Sequence, residues 1–258
     1  ESLLRFLFAD RILDMSNNRK IIADNVAIIK ERICRAAEKA GRSIDDIELM
    51  AVTKFQPIDV IQQAYLAGIR LFGENRVQEA LAKYPLLEPD LEGAFLHMIG
   101  TVQKNKINKA LTIFDAIQGI DNIETLEAIL ARIKASKKPI KLYLELHTGE
   151  ISKAGFPNVD ELLRGCEVYA EFLQSDHQGA RKASLCGLMT MAPFTQDVSL
   201  IRRSFKMLSA ARDKVKSSFD FPEFGELSMG MSNDFEIAIE EGSTLVRIGT
   251  AIFGERKA

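Results

Sequence analysis

The sequence has few cysteines, no long apolar run and no excess of either charge. Its three cysteines, Cys34, Cys166 and Cys186, form no C-x-x-C pair, which argues against a disulfide framework or a zinc site and is typical of a reducing compartment. No apolar stretch approaches the ~20 residues that a helix needs to span a bilayer. The 34 Lys and Arg nearly balance the 36 Asp and Glu. We therefore expect a cytoplasmic protein that binds no membrane and no nucleic acid.

Several common motifs are also missing: there is no Walker A sequence, no G-x-G-x-x-G and no H-E-x-x-H. Residues 1–14 are rich in leucine and phenylalanine, but charges interrupt them and no cleavage site follows, so they do not resemble a signal peptide. Met15 precedes a polar stretch that begins a helix. We consider residues 1–14 either an extension outside the natural chain or a short amphipathic helix docked on the body, and assign 15–258 to one domain.

What the chain does contain is a regular alternation of short apolar runs and amphipathic segments. The runs predict eight strands, at 47–54, 69–75, 94–100, 113–120, 140–147, 184–190, 226–230 and 244–250. Helices are predicted between them, with Pro85 ending the helix at 75–83, and an extra helix at 17–40 precedes the first strand. With 258 residues and 47% hydrophobic content, this pattern predicts a single α/β domain, a (β/α)₈ TIM barrel. A doubly wound open sheet, the alternative, would need a break in the alternation.

Candidate site residues follow from the barrel, because the carboxyl ends of its strands converge on one face. These predicted ends carry Lys54, Asn75, His97, His147, Met189, Ser228, Arg247, Gly249 and Thr250. We find no convincing Asp or Glu at the interior strand ends. Two glycine-and-hydroxyl turns, SMGMS (228–232) and RIGT (247–250), follow the seventh and eighth strands. Barrels often bind a phosphate there, through backbone N–H groups, hydroxyls and a helix N-terminus.

A lysine facing a phosphate site is typical of two chemistries. One is a Schiff-base aldolase acting on a phosphorylated sugar; the other is pyridoxal phosphate (PLP), whose aldehyde condenses with a lysine amine. The position of Lys54 on the first strand, without nearby carboxylates, disfavours the aldolase.

Each of these residues also has a structural interpretation. Lys54 alone would be an ordinary surface lysine, and His97 points either inward or at a helix. His147 is interpreted as a rim residue. The glycines of the two turns, taken separately, are common turn residues. Four methionines, Met189, Met191, Met229 and Met231, suit gaps in the core.

Six motifs together resemble the YggS/PROSC family of PLP-binding, PLP-homeostasis proteins, over about 17–255. They are AVTKFQP (51–57), FGENRVQEA (72–80), HMIGTVQKNK (97–106), GLMTM (187–191), SMGMSNDFEIAI (228–239) and GSTLVRIGTAIFGER (242–256). The chain departs from the family pattern at Leu96, at Thr101 and at Leu146–His147.

The resemblance implies a fold-type III PLP barrel, similar to the barrel of alanine racemase. It implies Lys54 as the residue that forms the Schiff base with pyridoxal 5'-phosphate. Ser228, Gly249, Thr250 and neighbouring amides such as that of Met229 would hold the phosphate, and Arg247 would lie near the phosphate or the pyridine nitrogen. Asn75, His97 and Met189 would line the surroundings of the ring.

The resemblance also implies a role in PLP homeostasis, as a monomeric carrier that exchanges the cofactor with PLP-dependent apoenzymes and free amino acids. No tyrosine is a convincing second base opposite Lys54. An arginine at the pyridine nitrogen would keep that nitrogen unprotonated and weaken the ring as an electron sink. We therefore favour a non-catalytic carrier, with an amino-acid racemase or lyase of low activity as the alternative.

Overall fold

Eight parallel strands close into one barrel in chain order, and β8 pairs with β1. The computed structural model describes residues 2–87, 90–149, 154–175 and 177–255, and side chains of the first helix from Arg19 onward. The strands are β1 Glu48–Val52, β2 Leu71–Glu74, β3 Phe95–Thr101, β4 Ala116–Ile120, β5 Ile140–Glu145, β6 Ala183–Met189, β7 Glu226–Ser228 and β8 Leu245–Ile248. The predicted (β/α)₈ barrel is thereby confirmed. An open sheet would leave its two edge strands unpaired on one side, whereas here β1 and β8 pair with each other, so the open sheet is excluded.

Ten helices accompany the strands in the described part of the chain. They are α1 Ser2–Lys39, α2 Ile58–Leu66, α3 Val77–Leu87, α4 Ile107–Ile113, α5 Ile123–Leu130, α6 Val159–Ser175, α7 His177–Ala180, α8 Val198–Ser218, α9 Phe235–Glu240 and α10 Thr250–Phe253. The extra helix α1 is longer than predicted, and the predicted docking of residues 1–14 lies outside the described side chains. None of the described helices is long and apolar enough to cross a membrane.

The core has two parts, one on each side of the sheet. The larger part lies between strands and helices and includes Phe72, Ile117 and Phe205, each 0% exposed. Smaller clusters inside the barrel contain strand residues, among them Tyr143 and Met189. Because parallel strands of a barrel are covered on both faces, apolar side chains occur in both alternating sets, and the inner set also contains buried polar residues such as Gln118.

Helix α1 crosses the outside of the barrel and holds the elements that follow β7 and β8. Asn25 Nδ2 donates to Ile252 O of α10 at 2.9 Å, and Arg32 binds Glu236 of α9 with two hydrogen bonds of 2.9 Å. Just after α1, Arg42 Nη1 donates to Ile239 O and Ser243 O. The first helix therefore fixes α9 and α10 against the barrel.

Pro85 does not end the third helix as predicted, since α3 continues to Leu87. Proline removes one backbone hydrogen bond and crowds the preceding turn. Here it lies in the last turn, where Tyr84 and Leu87 are buried against the core, and that packing offsets the lost bond.

Candidate functional site

A cavity of about 1090 Å³ opens at the carboxyl ends of the strands, the face where barrels bind their ligands. Six of the nine site residues that the family resemblance implies line it: Lys54, Asn75, Met189, Arg247, Gly249 and Thr250. The other three, His97, Ser228 and Met229, are buried and do not belong to the described lining.

Lys54 lies in a tight turn just beyond β1 and is half-buried. Thr53 N, before it, donates to Gly73 O at 2.9 Å, and Gln56 N, after it, donates to Thr53 O at 2.9 Å. Phe55 has a φ of 65°, a left-handed conformation that is uncommon outside glycine. Its N–H donates to Glu79 Oε1 at 2.5 Å. The turn that carries the lysine is therefore held in a strained conformation by its surroundings.

A second, buried lysine anchors that turn from below. Lys83 of α3 is 8% exposed, and its Nζ donates to Thr53 O at 3.0 Å, Gln56 O at 3.2 Å, Glu74 Oε1 at 2.9 Å and Glu79 Oε1 at 2.7 Å. Burial raises the pKa of Glu74, while the bonds from Lys83 oppose that rise. Lys83 therefore positions the backbone on both sides of Lys54.

The two glycine turns lie side by side, as predicted. Arg247 N donates to Gly230 O at 2.9 Å, and Ala251 N donates to Ser232 Oγ at 3.3 Å. A side chain at Gly230 would come within 2.6 Å of the Ala238 Cβ, and its φ is 95°, so this position requires glycine.

The backbone at Gly249 faces the cavity without crowding. The nearest atom to a Cβ built there is Val52 Cβ at 3.5 Å. The first hydrogen bonds of α10 run from the Ile252 and Phe253 N–H groups to Gly249 O, so the amides before them are not used within the helix. Ser232 and Thr250 place hydroxyl-bearing side chains on the same wall.

Arg247 joins the ends of three strands beneath the cavity. Its Nη1 donates to Ser228 O at 2.6 Å and Ser228 Oγ at 2.7 Å, and its Nη2 donates to Thr190 O at 2.8 Å. Burial lowers the pKa of its guanidinium to about 10, although Glu145 and Asp234 act in the opposite direction.

A chain of hydrogen bonds continues from Arg247 into the barrel. Ser228 Oγ donates to Gln118 Oε1 at 2.6 Å, and Gln118 Nε2 donates to His97 Nδ1 at 2.9 Å. His97 therefore points inward, which resolves the alternative left open by the sequence. Burial, with Lys141 and Lys138 nearby, lowers its pKa to about 3, so the imidazole is neutral.

Ser228, His97 and Met229 lie below the floor of the cavity. The Met229 side chain packs in the outer core, and its N–H donates to Leu245 O at 3.1 Å. Ser228 and His97 support Arg247 through the hydrogen-bond chain. Direct contact of these three residues with a ligand stays a prediction, and we expect Ser228 and His97 to act through Arg247.

Because buried His97 is neutral, we expect it to make the protein sensitive to acid. The pKa of His97 in the folded protein, about 3, lies below the ordinary 6.5. The stability that neutral His97 contributes is therefore fully present above pH 6.5 and is lost as pH falls toward 3. At pH 5 this amounts to about 2 kcal/mol. Urea unfolding of wild type and His97→Gln at pH 7.5 and pH 5.0 measures it. The loss on acidification should be smaller in the variant by that amount; equal losses would contradict the assignment.

Glu145 is a cavity residue that the sequence analysis missed. The predicted fifth strand runs to His147, but β5 ends at Glu145, and Leu146 forms an isolated bridge with Phe156. Glu145 is 4% exposed and lines the cavity, so the expectation of no acidic residue at the interior strand ends is wrong. The alternation of β5 contained the signal, because Tyr143, two residues earlier, also points into the barrel.

Other lining residues come from elements outside the strand ends. Arg32 of α1 reaches the rim, and so does the segment that follows β6, in which Phe194 is 92% exposed. The N-cap residue of α9 is Asp234. Its Oδ1 accepts from Met231 N at 2.5 Å and closes the turn that holds Ser232 and Asn233 toward the cavity.

The fold and site define the class of protein: a barrel of the alanine racemase type. Residues 23–257 match the family described as alanine racemase, N-terminal domain. An alanine racemase from Bacillus anthracis shares this fold, with a TM-score of 0.65 and 21% identity over 93% of this chain and 57% of the racemase.

Closer relatives cover nearly their whole length. The pyridoxal phosphate homeostasis protein of Aquifex aeolicus is 34% identical, over 91% of this chain and 98% of its own, and that of Escherichia coli is 35% identical, over 91% and 97%. PipY of Synechococcus elongatus, solved with PLP bound, has a TM-score of 0.77 and 30% identity over 90% of this chain and 100% of PipY. The chain therefore belongs to the family of pyridoxal phosphate homeostasis proteins.

Proposed function

We propose that this chain binds PLP in the cavity, holds it covalently through Lys54, and acts in PLP homeostasis as a carrier. One observation carries the proposal: Lys54, the one lysine in the described lining, shares the cavity with both glycine turns. The relatives of that name, and PipY with its bound PLP, support it.

The residues present fit the cofactor. PLP supplies an aldehyde that condenses reversibly with an amine. Lys54 offers that amine, while Gly249, Thr250, Ser232 and Asn233 offer amides and hydroxyls to the phosphate. Asn75 and Met189 line the walls between them. Arg247 adds a buried positive charge beneath the cavity, and its own hydrogen bonds to Ser228 and Thr190 keep it in place.

The tyrosines favour a carrier over a racemase that uses two bases. All four are described, and none lines the cavity. Their hydroxyl groups bond elsewhere: Tyr65 to Glu92 O, Tyr84 to Thr53, Tyr143 to Glu226 and Tyr169 to Ala183 O. Racemisation needs a proton donor on the face of the substrate opposite the lysine.

Transfer of PLP to an acceptor tests the carrier. We expect the loaded protein to restore activity to an apo-transaminase, and the same protein reduced with borohydride to restore none, because reduction makes the bond to Lys54 permanent. Enzyme activity after mixing measures transfer, with free PLP at equal concentration as reference. A protein that takes up no PLP, or that releases none to the acceptor, would contradict the proposal.

The alternative, a racemase or lyase of low activity, makes a different prediction. Such an enzyme would exchange the Cα hydrogen of one amino acid with deuterium from the solvent. Incubation of the loaded protein with individual amino acids in D₂O, followed by NMR, detects this exchange. Rapid exchange that disappears in Lys54→Arg would favour the enzyme, whereas exchange no faster than with free PLP would favour the carrier.

A further inference from the structure

Glu145 is a buried carboxylate that faces the cavity and has no side-chain partner among the described residues. It is 4% exposed and ends β5 beside Met189 of β6, which also lines the cavity. Its backbone oxygen accepts from Phe156 N at 2.7 Å. Within residues 2–87, 90–149, 154–175 and 177–255, no side chain forms a hydrogen bond or an ion pair with its carboxylate. Such a group loses most of its hydration and gains no donor from the described side chains.

No charged side chain of the described residues forms an ion pair with Glu145. Arg247 of β8 is the neighbouring cation, but its Nη1 and Nη2 groups donate to Ser228 and Thr190. Asp121, after β4, adds a like charge. Burial raises the pKa of Glu145 to about 7, Arg247 lowers it, and Asp121 raises it further. The carboxylate can therefore gain or lose a proton near neutral pH.

The same cavity offers anion-binding groups on another wall. Gly249, Thr250 and Ser232 lie at the ends of β7 and β8, whereas Glu145 ends β5. A ligand that satisfies both walls carries an anionic group and a protonated nitrogen. Charge-assisted hydrogen bonds of this kind are stronger than neutral ones.

We propose that Glu145 is the group of this cavity that recognises a protonated nitrogen of a phosphate-bearing ligand. The inference rests on the proposed function and adds a specificity determinant to it. The nitrogen belongs either to the pyridine ring of a B6 vitamer or to an aliphatic amine, and both share the same chemistry toward a carboxylate.

Three phosphate monoesters separate these sources. Pyridoxine 5'-phosphate has a ring nitrogen but no aldehyde, so its binding needs no bond to Lys54. O-phosphoethanolamine has an ammonium group and no ring, and benzyl phosphate has a ring without nitrogen. Calorimetric titration at pH 7 of wild type and Glu145→Gln, which keeps the size of the side chain, gives the dissociation constants.

We expect Glu145→Gln to raise the dissociation constant of pyridoxine 5'-phosphate by about tenfold to a hundredfold. The dissociation constant of benzyl phosphate should change by less than about twofold. A selective loss for O-phosphoethanolamine would instead identify an aliphatic amine. Equal losses for all three ligands, or no loss, would overturn the inference while leaving the proposed function in place. A wild type that binds neither PLP nor these ligands would overturn both.

A measurement without ligand provides a second test. The pKa of Glu145 is raised on folding, so the wild type should lose stability relative to Glu145→Gln as pH rises from about 4.5 to about 7. Urea unfolding of both proteins across this range shows the trend. Parallel pH profiles would mean that the carboxylate is already satisfied inside the protein, and the inference would fail.

Discussion

Replacing Lys54 with arginine should abolish the covalent attachment of PLP. Arginine keeps the positive charge and much of the length, but its guanidinium has a very high pKa and does not act as a nucleophilic amine. The purified variant should lack the visible absorbance of bound PLP. Borohydride reduction followed by peptide mapping should find no modified lysine in it, whereas in the wild type the label should lie on Lys54.

Lys104→Arg is a matched control for this experiment. Lys104 is exposed and does not belong to the described lining of the cavity, so its replacement should leave both absorbance and labelling unchanged. Stoichiometric label in Lys54→Arg, on any other lysine, would refute the assignment of Lys54. Phosphate binding should persist in Lys54→Arg, because the two glycine turns are unaltered.

Lys83→Met should destabilise the protein by about 3–5 kcal/mol. Removing one partner of a buried ion pair leaves the other charge uncompensated. Lys83 Nζ lies 2.9 Å from Glu74 Oε1, and the side chain of Glu74 is 0% exposed. The same variant also removes the hydrogen bonds to Thr53 O and Gln56 O, so the turn that carries Lys54 should loosen and hold PLP less tightly. Urea unfolding and PLP titration measure the two effects.

A double variant separates the ion pair from the loss of backbone anchoring. Lys83→Met with Glu74→Gln should regain about 1–3 kcal/mol over Lys83→Met alone, because the unpaired buried charge is gone. PLP binding should stay weak, since the two backbone bonds remain lost. Lys109→Met, at an exposed position of α4, should change stability by less than about 0.5 kcal/mol. A Lys83→Met protein as stable as Lys109→Met would contradict the anchoring role.

Glu145 also bears on the choice between carrier and enzyme. The sequence argument against catalysis assumed that Arg247 faces the pyridine nitrogen and keeps it unprotonated. In the structure, Arg247 Nη1 and Nη2 donate to Ser228 and Thr190, and Glu145 is a second charged residue that lines the cavity and is equally buried. A carboxylate that accepts a proton-bearing nitrogen would favour the protonated ring and strengthen it as an electron sink. A selective loss of pyridoxine 5'-phosphate binding in Glu145→Gln would therefore favour the enzyme over the carrier.

Part of the site was predictable because it depends on local sequence. Lys54 follows an apolar run at the end of a strand, and the two glycine turns follow the last two strands, so barrel closure alone brings them to one face. Ser228 and His97 were harder, because they lie below that face. A shift of one residue along a strand exchanges the two sides of the sheet, and depth in the barrel depends on register.

The sequence by itself determined the barrel, its strand order, and a lysine at the same face as two glycine turns. Apolar periodicity and turn chemistry are short-range properties, and parallel strands have few ways to close. Only the tertiary structure decided what surrounds these residues: Lys83 beneath the turn of Lys54, Arg247 linked through Ser228 and Gln118 to His97, and Glu145 in the cavity. Those contacts join residues that are far apart in the chain. They depend on where each strand ends and on the register between strands, which are long-range properties.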